Sequence, residues 1–174
     1  MNGGADGVSY DTTSYPVTVT VTEEKIYGEP ENPGEDPPQI GLILHAEVKY
    51  GNADSLTVTN TFEPAEAVPE VTKALTGREW TDDDSFTFTL AAVTEGAPLP
   101  DTVTGTATQA QPKVSFGTIT FNKAGTYEYT ITETSGSADG VAYDTAAHSV
   151  VITVTKDNDT NALSATIKYD GADS

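Results

Sequence analysis

The sequence predicts an all-β protein, an antiparallel β-sandwich built from tandem repeats. Apolar and polar residues alternate with a period of two in many short runs, and no run shows the 3.6-residue apolar spacing of a helix. Clusters of Gly, Pro, Asn and Asp separate these runs, as expected for turns between strands. One segment also occurs twice, as ADGVSYDT at 5–12 and as ADGVAYDT at 138–145. Many short strands without helices favour a sandwich.

The alternating runs place the strands in order along the chain. Thr and Val are common in these runs, and both residue types suit a pleated, half-buried surface. Because successive side chains of a strand point to opposite faces, each run also has a predicted inner face. We expect strands at 17–22, 42–50, 56–62, 71–76, 85–91, 113–121, 126–133, 149–155 and 163–169.

Both copies of the repeated segment are followed by strands in the same order. The matched strands are PVTVTVT at 16–22 with VVITVT at 150–155, and ILHAEVKYGNADS at 43–55 with LSATIKYDGADS at 163–174. After this point the first copy continues as LTVTNTFEP, whereas the second copy ends at Ser174. Self-similarity of this kind is the signature of a repeat protein.

The offset between the two copies predicts the domain organisation. A strand-rich stretch at 70–136 precedes the second copy and has no counterpart before the first. We therefore expect 1–63 to be the C-terminal part of a first repeat, truncated at its N-terminus. A linker at 64–70, marked by two prolines, leads to a second repeat at 71–174 that lacks its closing strand.

Composition excludes several functional classes. The 174 residues include 27 acidic and 8 basic side chains, for a formal net charge of −19. Nucleic-acid binding and adsorption to anionic lipid both require a basic surface, so neither is expected. The absence of cysteine excludes disulfides, thiolate zinc sites and cysteine catalysis. No apolar run is long enough for membrane insertion, and the N-terminus has no signal-peptide features.

Three polar residues fall in phase with the apolar inner faces of their strands. They are Asn60, Lys73 and Glu133. Each has an ordinary structural explanation: a lysine near a strand start can reach solvent, a glutamate can mark a strand end, and an asparagine can bond a loop. The combination is more informative, because burying an unpaired ammonium or carboxylate is costly.

Such a trio allows a specific reaction. Burial disfavours the charged forms of an amine and of a carboxyl group. A neutral amine is a nucleophile, and a protonated carboxyl can polarise a carboxamide and pass a proton to its leaving nitrogen. Apolar walls would hold the groups in contact. The product would be a Lys–Asn amide between strands, formed once with loss of ammonia.

The chain resembles the streptococcal-type pilin isopeptide-linkage domain, a relative of the collagen-adhesin B-type modules. The resemblance rests on VTKALTGREW, SFTFTLAAV, FGTITFNKAGTYEYTITET, YDTAAHSVVITVT and LTVTNTFEP. It implies immunoglobulin-like sandwich modules on Gram-positive surface proteins and pili. It also implies Lys73 as the nucleophile, Glu133 as the proton shuttle and Asn60 as the type of acceptor.

The repeat register separates these three residues. Lys73 and Glu133 belong to the second repeat, and its own acceptor would lie beyond Ser174, whereas Asn60 belongs to the preceding repeat. One possibility is that the strand at 56–62 fills the groove of the second repeat, either in the same chain or in another copy. The residues at 63–70 span roughly 26 Å when extended, so coupling within the chain stays open.

Other candidate sites are weaker. Asp157, Asp159 and Asn161 have the alternate spacing of a calcium loop, but no glycine follows and Lys168 stands where a glutamate is needed, which favours a tight turn. The acidic run at 81–85 could attract a cation or form a solvated turn. His45 and His148 have no evident acidic or serine partner, so a hydrolase lacks support. Trp80 could line a glycan site, although core packing is more common.

We therefore expect a structural stalk module of an extracellular, cell-wall-attached adhesin or pilin, with its signal and anchor outside this segment. Self-cross-linking would be a single turnover, so no enzyme activity, cofactor or metal is expected. The expected partners are neighbouring repeats, with strand exchange with another copy or a host surface ligand as further possibilities. The alternative function is a module that binds a host protein or glycan.

Overall fold

The computed structural model describes residues 4–170 and the backbone at 172–173. Within these residues the chain forms fourteen strands and no helix, so the all-β prediction is confirmed. The strands are β1 (Val8–Ser9), β2 (Val17–Tyr27), β3 (Gln39–Tyr50), β4 (Thr61–Phe62), β5 (Ala65–Ala67), β6 (Glu70–Thr72), β7 (Ser85–Ala92), β8 (Thr104–Thr108), β9 (Lys113–Ser115), β10 (Ile119–Phe121), β11 (Gly125–Glu133), β12 (Ala147–Lys156), β13 (Leu163–Tyr169) and β14 (Ala172–Asp173). Among the described residues no helix could span a membrane.

Contacts divide the chain into two compact units. The larger unit joins Met1–Tyr10 to Asn60–Ser174, and the smaller unit is Asp11–Thr59. These units are not the repeats that the sequence predicts, because the start of the first repeat joins the larger unit. The predicted repeat boundaries at 1–63, 64–70 and 71–174 remain a prediction about the origin of the chain.

The larger unit has an antiparallel sheet in the order β14-β13-β12-β11-β7-β8, with two-stranded sheets β10-β5, β6-β9 and β1-β4. Alternation along its strands buries the predicted inner faces, so that prediction is confirmed for three strands. The buried residues are Phe86, Phe88 and Leu90 of β7, Tyr129 and Ile131 of β11, and Val150, Ile152 and Val154 of β12. Full burial of each such side chain contributes about 1.5–3 kcal/mol.

The small sheets supply the second layer of the core. Ala65, Val114, Ile119 and Phe121 are buried in the same cluster as the inner face of the six-stranded sheet. Two antiparallel layers around one apolar core are consistent with the predicted β-sandwich. The predicted strand at 113–121 is broken into β9 and β10, because Gly117 adopts a φ of 90° between them.

The smaller unit is a hairpin of β2 and β3. These strands pair antiparallel from Val17 opposite Tyr50, with a register irregularity at Ile26. Both strands extend beyond the predicted ranges. Their side chains are exposed or half-exposed throughout, and Val19 is 58% exposed. The alternation in this hairpin therefore does not correspond to a buried face within the described part of the chain.

The predicted strand at 56–62 is mostly wrong. Only Thr61 and Phe62 form a strand, β4, which pairs with the two residues of β1. Its predicted inner residues Leu56, Val58 and Phe62 are exposed. A strand of two residues is too short to form a sheet face, so the alternating side chains at 56–62 are not buried. The unpredicted strands β1, β5, β8 and β14 are short and poor in large apolar residues, so alternation does not reveal them.

Candidate cross-linking site

Lys73 and Glu133 meet inside the larger unit. Lys73 follows β6, and its backbone N–H donates to the carbonyl of Pro112 at 2.9 Å, which extends the pairing of β6 with β9. Glu133 is the last residue of β11. The Nζ of Lys73 lies 2.7 Å from Oε1 of Glu133, and their side chains are 10% and 2% exposed. The prediction that both side chains point inward is confirmed, and the ordinary explanation of a lysine reaching solvent does not hold for Lys73.

Aromatic and aliphatic side chains surround this pair. The Nζ of Lys73 lies 4.4 Å from the centroid of the Phe86 ring, and Phe86 is 1% exposed. An ammonium over an aromatic face is attracted by the ring quadrupole. Phe88 and Ile131 line the same space. The amine and the carboxyl group are therefore held together among apolar side chains.

The repeated segment positions the carboxyl group. The backbone N–H of Asp144 donates to Oε2 of Glu133 at 2.9 Å. This contact gives the YDT sequence at 143–145 a role that the sequence did not reveal. Oε1 of Glu133 is buried and, apart from the ion pair with Lys73, has no hydrogen-bond partner among the described residues.

A groove of about 530 Å³ opens beside the pair. It is long enough to be lined by residues of β6, β7, β11, β12 and β13 as well as by the loop after β11. Representative lining residues are Thr72, Lys73, Phe88, Glu133, Ala142 and Tyr169. Oε1 of Glu133 is buried beside this groove, and its described polar contact is the ion pair with Lys73 at 2.7 Å.

His148 also lies on this groove, and its acidic partners are not evident from the sequence pattern. Its Nε2 is 3.0 Å from Oδ2 of Asp144, and its Nδ1 is 2.9 Å from Oδ2 of Asp170. The hydrogen bonds to Asp170 and Asp144 raise the pKa of His148. The prediction that His148 lacks acidic partners is wrong, because a loop and a neighbouring strand end bring them together. His45 likewise lies 2.7 Å from Glu24 across the β2–β3 hairpin.

Asn60 does not lie at this groove. It is exposed and directly precedes β4, so the prediction that it points inward is wrong. The next residue, Thr61, lines a small cavity with Thr160 and Ala162 at the β12–β13 turn. The groove beside Lys73 lies at the other end of β12, whose ten residues span roughly 33 Å. The structure does not bring Asn60 to Lys73, and its role as an acceptor stays a prediction.

The other candidate sites form local structure. Oδ1 of Asp157 accepts hydrogen bonds from the backbone N–H groups of Asp159 at 3.0 Å and Thr160 at 2.8 Å, which supports the tight-turn interpretation. Asn161 completes the turn with a φ of 64°. Within the described ranges no cluster of three or more His, Asp or Glu residues could hold a metal ion.

The acidic run at 81–85 contains one buried carboxylate. Asp84 accepts two hydrogen bonds of 2.7 Å from the guanidinium of Arg78 and one of 2.7 Å from the backbone of Thr81. These contacts hold the pKa of Asp84 far below its ordinary value. Trp80 packs edge-on against Phe86, with ring centroids 5.2 Å apart, so it contributes to the core.

Comparison with known families gives a match to the second part of the chain. A family model described as FctA, the Spy0128-like isopeptide containing domain, matches residues 69–174, which is more than half of the chain. A comparison with curated proteins finds no match. Domains of this family are structural modules of pilins and surface proteins that contain isopeptide bonds, are typically extracellular and associate with neighbouring repeats or subunits. The chain belongs to the FctA family of Spy0128-like, isopeptide-containing domains.

Proposed function

We propose that this chain is a stalk module of a Gram-positive cell-surface adhesin or pilin, hardened by one self-formed amide bond. Lys73 is the nucleophile, Glu133 is the proton shuttle, and the acceptor is an asparagine on a closing strand. The observation that carries this proposal is the buried contact of 2.7 Å between Lys73 Nζ and Glu133 Oε1 beside an open groove.

The proposed amide formation requires no cofactor, because ammonia is its only by-product. In its neutral form the Lys73 amine attacks the carboxamide carbon of the asparagine, while protonated Glu133 donates a hydrogen bond to the carboxamide oxygen. Glu133 then carries a proton from the attacking nitrogen to the leaving nitrogen. The carbon–nitrogen bond of the carboxamide breaks, ammonia leaves, and a Lys–Asn amide remains. The site is consumed, so this chemistry is a single turnover and not enzyme activity.

Contacts of the first repeat indicate where the asparagine would arrive. In the β1–β4 pair, Ser9 lies opposite Thr61, which directly follows Asn60. Ser9 corresponds to Ala142 in the second copy of the repeated segment, and Ala142 lines the groove beside Lys73. A closing strand in the same register would therefore place an asparagine next to the groove. Oε1 of Glu133 lies 2.7 Å from Nζ of Lys73, so an asparagine placed there would meet the amine and the carboxyl group together.

A chain extended after Ser174 by LTVTNTFEP, a copy of residues 56–64, tests this proposal. We expect the purified product to be lighter than its formula mass by one ammonia, with a branched Lys73–Asn peptide after proteolysis. Lys73→Met, Glu133→Gln and an alanine in place of the added asparagine should each restore the full formula mass. Lys113→Met is a matched control, because that lysine is exposed and pairs with Glu70.

The unextended chain provides the comparison. If Asn60 couples to Lys73 in another copy, its mass would show a dimer that lacks one ammonia for each bond. A folded extended chain with full formula mass would overturn the proposal. Circular dichroism and native mass spectrometry of the same sample distinguish that outcome from misfolding.

The position of such a bond between two strands explains how it would harden a stalk module. A covalent link between the first and last strands of a module carries tension that sheet hydrogen bonds would otherwise resist. It also restricts the unfolded chain, in the way that a disulfide across a long loop does. The protein contains no cysteine, so this chemistry is its available means of covalent hardening.

A further inference from the structure

The two copies of the repeated segment fold into the same turn. The Tyr10 hydroxyl accepts a hydrogen bond of 3.0 Å from the N–H of Ala5, and the Tyr143 hydroxyl accepts one of 3.2 Å from Ala138. In both turns the N–H of the valine donates to the carbonyl of the alanine at 3.2 Å. The φ angles of their glycines are 70° and 71°. The turns are thus nearly identical in conformation.

The first turn belongs to the larger unit and is docked on other residues of that unit. Oδ2 of Asp6 accepts a hydrogen bond of 2.9 Å from the N–H of Ala124, and Oδ1 lies 3.3 Å from Nζ of Lys156. The N–H of Gly7 donates to the carbonyl of Asn161 at 2.8 Å. We call the surface formed by Ala124, Lys156 and Asn161 the base of the module.

The fit at this base is close. Gly7 is buried, and a Cβ atom at this position would lie 2.7 Å from the carbonyl oxygen of Glu63. The N–H of Glu63 donates to the carbonyl of Gly7 at 2.8 Å. A substitution at Gly7 would therefore meet both a positive φ and a steric clash.

The second turn has the same sequence but no docking partner in the described part of the chain. Asp139 and Gly140 are exposed, and nothing lies within 4 Å of a Cβ placed on Gly140. No hydrogen bond or ion pair of the Asp139 side chain occurs among the described residues. An identical, preformed turn is thus presented to solvent.

We propose that the turn at Ala138–Gly140 docks on the base of a following repeat, as the turn at Asp6 and Gly7 docks on the base of this one. The partner is a second copy of this module, which offers the N–H of Ala124, the ammonium of Lys156 and the carbonyl of Asn161. Local charge complementarity favours this contact, because Asp139 would meet the ammonium of Lys156 as Asp6 does at 3.3 Å. This local attraction acts against the mutual repulsion of chains that each carry a formal net charge of −19. This inference rests on the tandem arrangement in the proposed function but does not require the amide bond.

The test uses the full chain followed, after Ser174, by a second copy of residues 56–174. Nitroxide labels at Glu128→Cys in both copies are the only thiol sites, because the natural sequence has no cysteine. We expect a narrow distribution of label distances by pulsed electron resonance. Asp139→Ala in the first copy should at least double its width, and Lys156→Ala in the second copy should do the same. The two changes together should broaden the distribution no further than either change alone, since both remove the same contact.

The charge swap Asp139→Lys with Lys156→Asp should narrow the distribution again in part, because it keeps the ion pair although a lysine cannot accept the hydrogen bond from the N–H of Ala124. This partial recovery would distinguish loss of the contact from a variant that loosens its own module. In the unextended chain, Asp139→Ala should leave the urea midpoint unchanged, whereas Asp6→Ala should lower it. A distance distribution that does not respond to Asp139→Ala would overturn the inference. Loss of ammonia, measured on the same samples, reports the amide bond separately.

Discussion

His148 joins two parts of the larger unit, because its Nδ1 lies 2.9 Å from Asp170 at the end of β13 and its Nε2 lies 3.0 Å from Asp144 in the loop after β11. Only the doubly protonated imidazole donates hydrogen bonds to both carboxylates. Since the N–H of Asp144 also bonds Glu133, the imidazole braces the loop that holds the shuttle carboxyl.

This arrangement predicts pH-dependent stability. The raised folded-state pKa of His148 means that its stabilisation is fully present below the unfolded value of about 6.5 and is lost as the pH rises through the folded value. The two aspartates act in the opposite sense. The pKa of Asp170 is lowered chiefly by His148, and the pKa of Asp144 is lowered chiefly by the N–H of Ala146. The stabilisation that these carboxylates provide is therefore lost as the pH falls below about 3.9. Lys73, Glu133 and Glu70 face the same groove.

We expect His148→Asn to reduce the free energy of unfolding by less than about 1 kcal/mol at about pH 5.5, because the ion pairs of His148 with Asp144 and Asp170 are partly exposed. The reduction should be smaller still at about pH 8.5, where the imidazole is neutral. Urea unfolding at both pH values measures the difference. His45→Asn, which changes an exposed hairpin pair, is the control. Equal effects of His148→Asn at both pH values would contradict the prediction.

Close packing at Gly105 predicts a large effect of a small side chain. A Cβ atom there would overlap Cγ1 of Val114, which is itself buried. Gly105→Ala should therefore destabilise the larger unit by about 1–3 kcal/mol. Val114→Ala in the same chain should recover part of this loss, since it removes the clashing methyl group. Additive losses measured by urea unfolding would show that the contact is not the cause.

The Arg78–Asp84 pair predicts sensitivity to acid. Because the folded-state pKa of Asp84 is lowered, its stabilisation is present above the unfolded value of about 3.9 and is lost as the pH falls towards the folded value. Asp84→Asn should flatten this part of the stability profile and lower the melting temperature at neutral pH. Asp83→Asn, at an exposed neighbour, is the matched control. An unchanged acid profile in Asp84→Asn would refute the assignment.

Burial of Tyr129 predicts a late ionisation. Its hydroxyl donates to the carbonyl of Pro98 at 2.8 Å, and burial raises its pKa to about 12. Tyr129→Phe should cost about 0.5–1.5 kcal/mol and remove the last step of the ultraviolet tyrosine titration. Tyr27→Phe, which changes an exposed tyrosine, is the control and should cost almost nothing. A titration of Tyr129→Phe that keeps its last step would show that Tyr129 is not desolvated.

The alternation of side chains along a strand was sufficient to place Lys73 and Glu133 on the inner face, because a shift of one residue moves a side chain to the other side of a sheet. It was not sufficient for Asp144 and His148, whose roles arise from a backbone N–H and from contacts between a loop and a strand end. The prediction of a strand at 56–62 was wrong for a related reason. Alternation shows that one face of a segment is apolar, but it does not show which partner covers that face. The ligand-binding alternative stays a prediction.

Pairing of β1 with β4 has a consequence for engineering. Val8 lies opposite Phe62 and Ser9 opposite Thr61, so the chain leaves and re-enters the larger unit at adjacent points. Partners in such a ladder have Cα atoms about 5 Å apart. The whole of Asp11–Thr59 is therefore topologically an insertion, and excising it in favour of a tight two-residue reverse turn should yield a shorter protein with its core intact.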